Sequence, residues 1–346
     1  MGNCASACPY LVRTLIAAAA LVLVGCAAAP PAPEAPPPVV AEPTPEPVAA
    51  PAPIEPPPTP TPEPAPVAPP RAEIVVIVDP SASSYAAVGD AIVAELSPRL
   101  YDVTLVVSTA TDSLAAARDH RVTVIAVGAA AVTAARTELP GKDLVFCQVL
   151  AHESLVGDSE RTWGVRALPP LALQLRGWRA VDPSLRTIAL IVSDASAALA
   201  AEAQQAAGDT AADLLVQTSS SDRETLYLFR RIAADVDGLW LLPDGAALSP
   251  SALREILSYA AARGIGVLTF SEALLPRGAL LSATSVAADV ATTVHRIVER
   301  VVAGRTRDLP AMTPLSAVEF AINKELAATL GLPPVMSSRW VTRDPD

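Results

Sequence analysis

Glu73-Ile74-Val75-Val76-Ile77-Val78-Asp79 is the stretch that decides the fold class, because its five central residues are all apolar and β-branched. A run of this kind, without polar alternation, is typical of a strand buried on both faces of a parallel sheet. Comparable apolar runs follow at residues 103–107, 122–127, 144–149, 187–192, 214–217, 239–242 and 267–270. The chain is therefore predicted to form buried parallel strands.

Alanine-rich segments with helix-start signals separate these runs. Thr111-Asp112 precedes a predicted helix at residues 113–118, and Gly128 precedes another at residues 129–137. Further helices are predicted at residues 195–207, 223–234 and 250–263. This alternation predicts an α/β fold with parallel sheets flanked by helices and built from right-handed crossovers. The strands form two series of about four, which predict two similar lobes, and the non-periodic segment 151–170 between them is interpreted as a crossover rather than a core element.

The N-terminus has the sequence pattern of an export signal. Residues 1–25 carry one charge, at Arg13, and an apolar run that is about half as long as the roughly 20 residues of a bilayer-spanning helix. Leu23-Val24-Gly25-Cys26 resembles the lipobox of bacterial lipoproteins, which predicts lipidation at Cys26 after removal of residues 1–25. The alternatives are an ordinary secretory signal, or N-myristoylation at the Met1-Gly2 start.

A proline-rich segment follows the cysteine. About half of residues 30–70 are proline, and none is Lys or Arg. Such a composition cannot bury a core, so residues 26–70 are predicted to be a disordered, extended polyproline II stalk. At roughly 3.1 Å per residue it could reach on the order of 100 Å. Alternatively, this segment is a binding site for a domain that recognises polyproline.

Composition limits the partners and the redox chemistry. The chain of 346 residues has a formal net charge of −11, which argues against nucleic acid and anionic lipid as partners because both require clustered Lys and Arg. Of the four cysteines, Cys4 and Cys8 fall in the signal and Cys26 is the predicted lipidation site. Cys147 remains alone in an apolar run and is predicted to be a buried, inert thiol.

Polar residues follow several predicted strands. In parallel α/β sheets ligands bind beyond the carboxyl ends of the strands, where helix N-termini present unpaired N–H groups. The candidate ligand-binding residues are Ser81, Ser83, Ser84, Tyr85, Gly128, Gln148, Ser193, Asp194, Asp244, Ser271 and Glu272. The serines before Tyr85 could bind a carboxylate or a polar head group, or serve only as a helix cap. Asp244 and Glu272 could hold an ammonium group or serve as caps, and Asp194 is interpreted as a helix cap.

Catalytic and metal motifs are absent from the sequence. It contains neither a Gly-x-Ser-x-Gly elbow nor a Gly-x-x-x-x-Gly-Lys phosphate loop. His152, Glu153 and Asp158 could be drawn as a metal site, but their spacing fits no common pattern. The chain is therefore predicted to be a binding protein rather than an enzyme, without metal or cofactor.

A series of landmarks in the second half carries a family resemblance. In order, the landmarks are Val236-Asp237-Gly238-Leu239-Trp240-Leu241-Leu242-Pro243-Asp244, Gly266-Val267-Leu268-Thr269-Phe270-Ser271-Glu272, Arg277-Gly278-Ala279-Leu280, Val301-Val302-Ala303-Gly304-Arg305, Val318-Glu319-Phe320-Ala321-Ile322-Asn323 and Leu330-Gly331-Leu332-Pro333-Pro334. Their order and spacing resemble the substrate-binding proteins of ABC transporters in the type I periplasmic-binding-protein superfamily. The resemblance implies two Rossmann-like lobes joined by three crossing segments, with a ligand trapped between them by hinge closure.

The sequence also departs from that family. Where many members have paired tyrosines before a long helix, this chain has Ala287-Ala288-Asp289, with Asp289 interpreted as a helix cap. Where members often carry an Asp-Pro pair after the fourth strand, this chain reads Val149-Leu150-Ala151-His152. Aromatic residues make up only 4% of the chain, which argues against a stacking clamp for an aromatic ligand.

Two functions fit the sequence. The first is a solute-binding lipoprotein that delivers an unidentified small molecule to an inner-membrane permease. The second is an envelope lipoprotein that uses the same fold as a scaffold, sensor or regulator of another envelope protein. Ala27 follows the predicted lipidation site where aspartate would favour the inner membrane, so an outer-membrane anchor facing the periplasm is predicted. Residues 71–346 are expected to form the module, with lobe 1 at about 72–165 plus 286–312 and lobe 2 at about 166–285 plus 313–346.

Overall fold

The structure is a computed structural model that describes residues 71–96, 100–150, 152, 155, 161–244 and 248–344. The predicted signal, the lipidation site Cys26 and the stalk lie outside these residues. Among the described helices, none combines the length and the apolar character needed to cross a membrane.

The first sheet consists of six parallel strands. They are β1 (Ala72–Val78), β2 (Tyr101–Val107), β3 (Val122–Val127), β4 (Asp143–Cys147), β5 (Thr162–Val165) and β11 (Met312–Thr313). Their spatial order is β11-β5-β4-β3-β1-β2. Strand β1 lies inside the sheet, and its residues 74–78 are buried as the continuous apolar run predicted.

The second sheet is mixed. Its strands are β6 (Thr187–Val192), β7 (Asp213–Thr218), β8 (Gly238–Leu241), β9 (Gly266–Thr269), β10 (Leu281–Thr284), β12 (Ala317–Ile322) and β13 (Arg339–Arg343), in the order β13-β12-β10-β9-β8-β6-β7. The first five of these are parallel to one another, whereas β12 pairs antiparallel with both β10 and β13. The antiparallel strands at this edge were not among the predicted strands.

Helices cover both faces of each sheet. The α-helices with described bounds are α1 (Ser83–Glu95), α2 (Thr111–Ala116), α3 (Ala129–Glu138), α4 (Leu171–Val181), α5 (Ala197–Asp209), α6 (Asp222–Ile232), α7 (Pro250–Arg263), α8 (Ala287–Val302) and α9 (Lys324–Thr329). On one face of β1, Ile74 and Val76 pack with α1 and α8, and on the other Val75 and Ile77 pack with α2 and α3. In the second sheet, α4, α5 and α9 pack on one face, and α6 and α7 on the other. The predicted architecture of two α/β lobes with helix-flanked sheets is confirmed.

One prediction about the connection between the lobes is wrong. Segment 151–170 was interpreted as a crossover without core elements, yet it contains β5, which pairs in parallel with β4. Trp163 and Val165 in this strand are buried in the core of the first lobe. Strand β5 has only four residues, too few for a periodic pattern to emerge from the surrounding irregular sequence.

Candidate functional site

The connections between the lobes show which edges of the two sheets lie near each other. Residues 166–170 lead from the end of β5 into α4, residues 285–286 lead from the end of β10 into α8, and residues 314–316 lead from the end of β11 into β12. Each connection leaves a sheet at the carboxyl end of a parallel strand. The carboxyl edges of both sheets therefore lie on the side of the connections, which is where α/β sheets bind ligands.

Asp79 organises the carboxyl edge of the first sheet. Its side chain is 6% exposed, and its carboxylate accepts hydrogen bonds from the N–H of Ser81 (2.9 Å) and from the N–H of Ala130 in the first turn of α3 (3.1 Å). Burial alone would raise the pKa of Asp79, but the hydrogen bonds from Ser81 and Ala130 outweigh it and hold the pKa below its ordinary value. Asp79 thus fixes the Ser81 loop against the start of α3.

Gly128 allows the close packing of this cluster. Its φ of +92° lies in the region that favours glycine. A Cβ at this position would lie 2.7 Å from the Cβ of Asp79 and 3.1 Å from two ring carbons of Tyr85. The absent side chain therefore lets the Tyr85 ring and Asp79 approach the backbone between β3 and α3.

Tyr85, Ser83 and Ser84 line the same edge. Burial raises the pKa of the Tyr85 phenol, and the negative charge of Asp79 and the neighbouring Cys147 add to the effect, so the hydroxyl stays protonated and can donate a hydrogen bond. Ser83 and Ser84 are exposed, and within the described residues their hydroxyls have no protein partner. The first lobe thus presents hydroxyl groups next to a half-buried aromatic ring.

Gln148 lies at the end of β4 and contacts a connection between the lobes. Its Nε2 donates a hydrogen bond to the Oγ of Ser285 (2.9 Å), which begins the connection from β10 to α8. Gln148 also has a φ of +58°, a left-handed conformation that costs a non-glycine residue on the order of 1 kcal/mol. The strained backbone and the hydrogen bond together hold the Gln148 side chain at the junction.

In the second lobe, Ser193 and Asp244 form a closed cluster. The Oγ of Ser193 donates to Oδ1 of Asp244 (2.6 Å), and the N–H of Ser193 and the hydroxyl of Ser196 donate to the same carboxylate. Asp244 was predicted either to bind an ammonium group or to serve as a cap, and these bonds tie it to the turn before α5. Asp194 is exposed in a short 3-10 helix whose N-cap is Ser193, so its interpretation as the cap is wrong.

Glu272 and Ser271 follow β9. The Oε2 of Glu272 accepts a hydrogen bond from Nη2 of Arg339 in β13 (2.5 Å). An internal cation thus already neutralises this carboxylate, which was predicted either to hold an ammonium group or to serve as a cap. The Ser271 hydroxyl has no partner within the described residues, although Ser271 precedes a short helix. Glu272 and Arg339 are 67 residues apart, so their pairing has no signal in the sequence.

Two neighbouring residues were missed by the sequence predictions. Phe270, directly after β9, is 37% exposed although it is large and apolar. Thr269, the last residue of β9, is 1% exposed, and its hydroxyl has no hydrogen-bond partner in the described structure. The Phe270 ring is therefore accessible at the end of β9, whereas the Thr269 hydroxyl is enclosed by protein atoms.

Asp289 has a different role from the predicted one. It was interpreted as a helix cap, but the N-cap of α8 is Val286, and the Asp289 carboxylate instead accepts three hydrogen bonds from the connection that enters β12. The donors are the N–H and Oγ of Ser316 (2.8 and 2.7 Å) and the N–H of Ala317 (3.0 Å). Asp289 therefore attaches α8, which packs on the first sheet, to the start of a strand in the second.

The remaining candidates concern metals and thiols. No group of metal-binding side chains occurs among the described residues. The ring of His152 lies 5.8 Å from that of Phe146, and Glu153 and Asp158 lie outside the described ranges. Cys147 is fully buried, and burial raises its thiol pKa to about 12.

Solved structures with the same arrangement of elements exist. A ligand-free, open structure of a substrate-binding protein with adhesive properties from Clostridium difficile is 12% identical, with a TM-score of 0.60. An ABC domain in complex with L-Trp from Streptococcus pneumonia is 17% identical, and a conserved domain protein from Vibrio cholerae is 15% identical, each with a TM-score of 0.50. Each match covers 77% of this chain and 96% of the other.

No protein-family model matches the chain, and no curated protein matches it by sequence. At the identities of the solved structures, the similarity shows the fold. The described part of this chain has the type I periplasmic-binding-protein fold that the resemblance implied.

Proposed function

We propose that this chain binds a small solute between its two lobes, as the receptor of an ABC-type uptake system. The observation that carries the proposal is that unpartnered polar groups and exposed aromatic surface lie at the carboxyl edges of both sheets, on the side of the connections. Ser83, Ser84 and Tyr85 provide them in the first lobe, and Phe270 and Ser271 in the second. The complex of a similar structure with L-Trp, and the description of another as a substrate-binding protein, support this role.

The chemistry of these edges favours a neutral polar solute or a carboxylate. Asp79 is held by backbone N–H groups, Asp244 by serine donors, and Glu272 by Arg339. A cationic ligand would have to displace those partners. Hydroxyl groups and the Gln148 amide can instead hydrogen-bond sugar hydroxyls or carboxylate oxygens. We therefore infer that Ser81, Gly128, Ser193 and Asp194 shape the site, whereas Ser83, Ser84, Tyr85, Gln148 and Ser271 contact the ligand.

The same proposal includes the anchor and the domain layout. Residues 1–25 would be removed, Cys26 lipidated, and residues 26–70 would carry the module at 71–346 away from an outer membrane. Lobe 1 would take residues 72–165 and 286–312, and lobe 2 the remainder. Replacing Cys26 with serine should abolish labelling by a radioactive acyl chain, and persistent labelling would contradict the lipobox assignment.

A thermal-shift screen tests the binding function. The purified protein is heated with sugars, amino acids, nucleosides and short peptides, and a solute that binds only the folded state raises the unfolding midpoint. Tyr85→Phe and Ser84→Ala should each weaken binding of the hit by about tenfold, because each removes one hydrogen bond to the ligand. Tyr227→Phe and Ser258→Ala, on exposed helix surfaces of the second lobe, are the matched controls and should not change it.

The alternative is an envelope scaffold, sensor or regulator. It predicts that no solute in a broad library raises the midpoint, and that affinity purification of the intact lipoprotein recovers one envelope protein reproducibly. Binding of the hit that is equally strong in Tyr85→Phe, Ser84→Ala and their controls would contradict the proposed position of the site.

A further inference from the structure

Four cations form a row at the amino edge of the first sheet, the edge opposite to the candidate solute site. Arg71, Arg121, Lys142 and Arg161 each immediately precede a strand, namely β1, β3, β4 and β5. These strands are consecutive neighbours in the sheet. Since neighbouring strands are about 4.8 Å apart, the row extends over roughly 15 Å.

This row is not a general property of strand starts in this fold. The corresponding strands of the second sheet, β6, β8, β9 and β10, are preceded by Arg186, Asp237, Ile265 and Leu280, which include a single cation. A purely local role, such as balancing the negative ends of the preceding helices, would apply to both lobes. The difference indicates a specific feature of the first lobe.

The four cations line a groove of about 830 Å³. Its carboxylates are Glu73, Asp119 and Asp143, of which Glu73 lies 3.0 Å from His120 and Asp143 pairs with Arg161 at 2.8 Å. In the described part of the chain, Arg71 and Arg121 have no ion-pair partner. The cations of this groove thus outnumber its carboxylates, although the net charge of the protein is −11.

A second cationic groove borders the first along α8. Val301 and Val302 at the end of α8 line the first groove, and the second contains Arg296, Arg300, Arg305 and Arg307. Together the two grooves hold eight Arg and Lys residues and five Asp and Glu residues. Neither is lined by Phe, Tyr or Trp, so stacking platforms for nucleic acid bases are missing from these grooves.

We propose that the amino edge of the first lobe is a second binding site, for a ligand that carries phosphate groups. Guanidinium groups match the oxygens of a phosphate in pairs, and a row of four cations fits several phosphate charges better than one. The phosphates belong either to a soluble polyphosphate or to lipid head groups. The sequence argued against anionic lipid because these cations are far apart in it, and it is the order of the strands that brings them together. Because this edge is opposite to the carboxyl edge, the two sites can be occupied independently.

Two probes distinguish a soluble polyphosphate from lipid head groups as the source of the phosphates. The full-length chain carrying Cys26→Ser, in which the predicted anchor cannot form, is titrated with inorganic tripolyphosphate by calorimetry. The same protein is then sedimented with phosphatidylglycerol vesicles and, for comparison, phosphatidylcholine vesicles. The test variant is Arg71→Ala with Arg121→Ala, and the matched control is Arg186→Ala with Arg254→Ala, two exposed arginines of the second lobe.

The variant should weaken binding of the successful probe about tenfold or more, whereas the control should leave it unchanged. Saturable tripolyphosphate binding with this dependence supports a soluble ligand. Binding to phosphatidylglycerol vesicles alone, with the same dependence, supports the site with lipid head groups as the source. If neither probe binds, or if test and control variants bind equally, the proposal is overturned. Circular dichroism of both variants checks that they are folded.

Discussion

Replacing Asp289 with alanine tests how the two lobes are attached. The carboxylate is 6% exposed and holds the connection into β12 through three hydrogen bonds, two from Ser316 and one from Ala317. Alanine cannot accept any of them. The substitution therefore frees the connection from α8 without changing either sheet directly.

The size of the effect depends on which donors water can reach. Ala317 is fully buried, so its N–H group loses its partner without replacement, at a cost of about 1–3 kcal/mol. Ser316 is exposed, so water can take over its two bonds and their loss costs about 1 kcal/mol or less. The free energy of unfolding is therefore expected to fall by about 1–4 kcal/mol in Asp289→Ala.

Urea unfolding followed by tryptophan fluorescence measures this loss. Asp90→Ala is the matched control, since Asp90 is also a helical aspartate but is exposed, and the unfolding free energy should change by no more than about 0.5 kcal/mol. Asp289→Asn keeps one acceptor oxygen and should give an intermediate loss. If Asp289→Ala unfolds at the same urea concentration as Asp90→Ala, the attachment assigned to Asp289 is refuted.

Three further predictions concern the first lobe. Gly128→Ala should lower the unfolding midpoint more than Gly264→Ala, because both positions have positive φ but only the Cβ at Gly128 meets atoms closer than 3.0 Å; equal losses would contradict the packing argument. Because the pKa of Asp79 is lowered in the folded protein, its ionised form contributes stability at neutral pH that disappears as the pH falls below about 4. Asp79→Asn should accordingly lose less stability than the unsubstituted protein between pH 7 and about pH 3 in urea titrations, and an equal loss would exclude that contribution. Cys147, with its pKa raised to about 12, should react with a maleimide only after unfolding, as judged by mass spectrometry of its peptide, and rapid labelling of the native protein would show that the thiol is accessible.

The strands of both lobes were predictable because their physical cause is local. A strand covered by helices on both faces needs apolar residues at every position, as in residues 74–78, and this requirement is visible in the sequence itself. The same reasoning failed for β5 and β10, which have four residues each, and for β11, which has two. It also failed for β12 and β13, where the sheet turns antiparallel and β13 is largely exposed. Short or edge strands leave little apolar pattern to detect.

The placement of the candidate residues at the sheet edges was predictable, but their contacts were not. The carboxyl ends of the strands identified Ser81, Tyr85 and Gln148 as candidates, since topology alone places such residues at one edge. Whether a carboxylate there is available to a ligand depends on partners far away in sequence. Arg339 for Glu272 and Ser316 for Asp289 are of this kind, and neither pairing has a local signal.

Hydrogen exchange with and without the solute found by thermal shift tests the central claim most directly. If the solute binds between the lobes, backbone amides should gain protection together at residues 81–85 and 148 in the first lobe and at residues 270–272 in the second. Amides at residues 118–121, at the opposite edge of the first sheet, should exchange unchanged. Protection confined to one lobe, or located at the opposite edge, would contradict a solute site formed by both lobes.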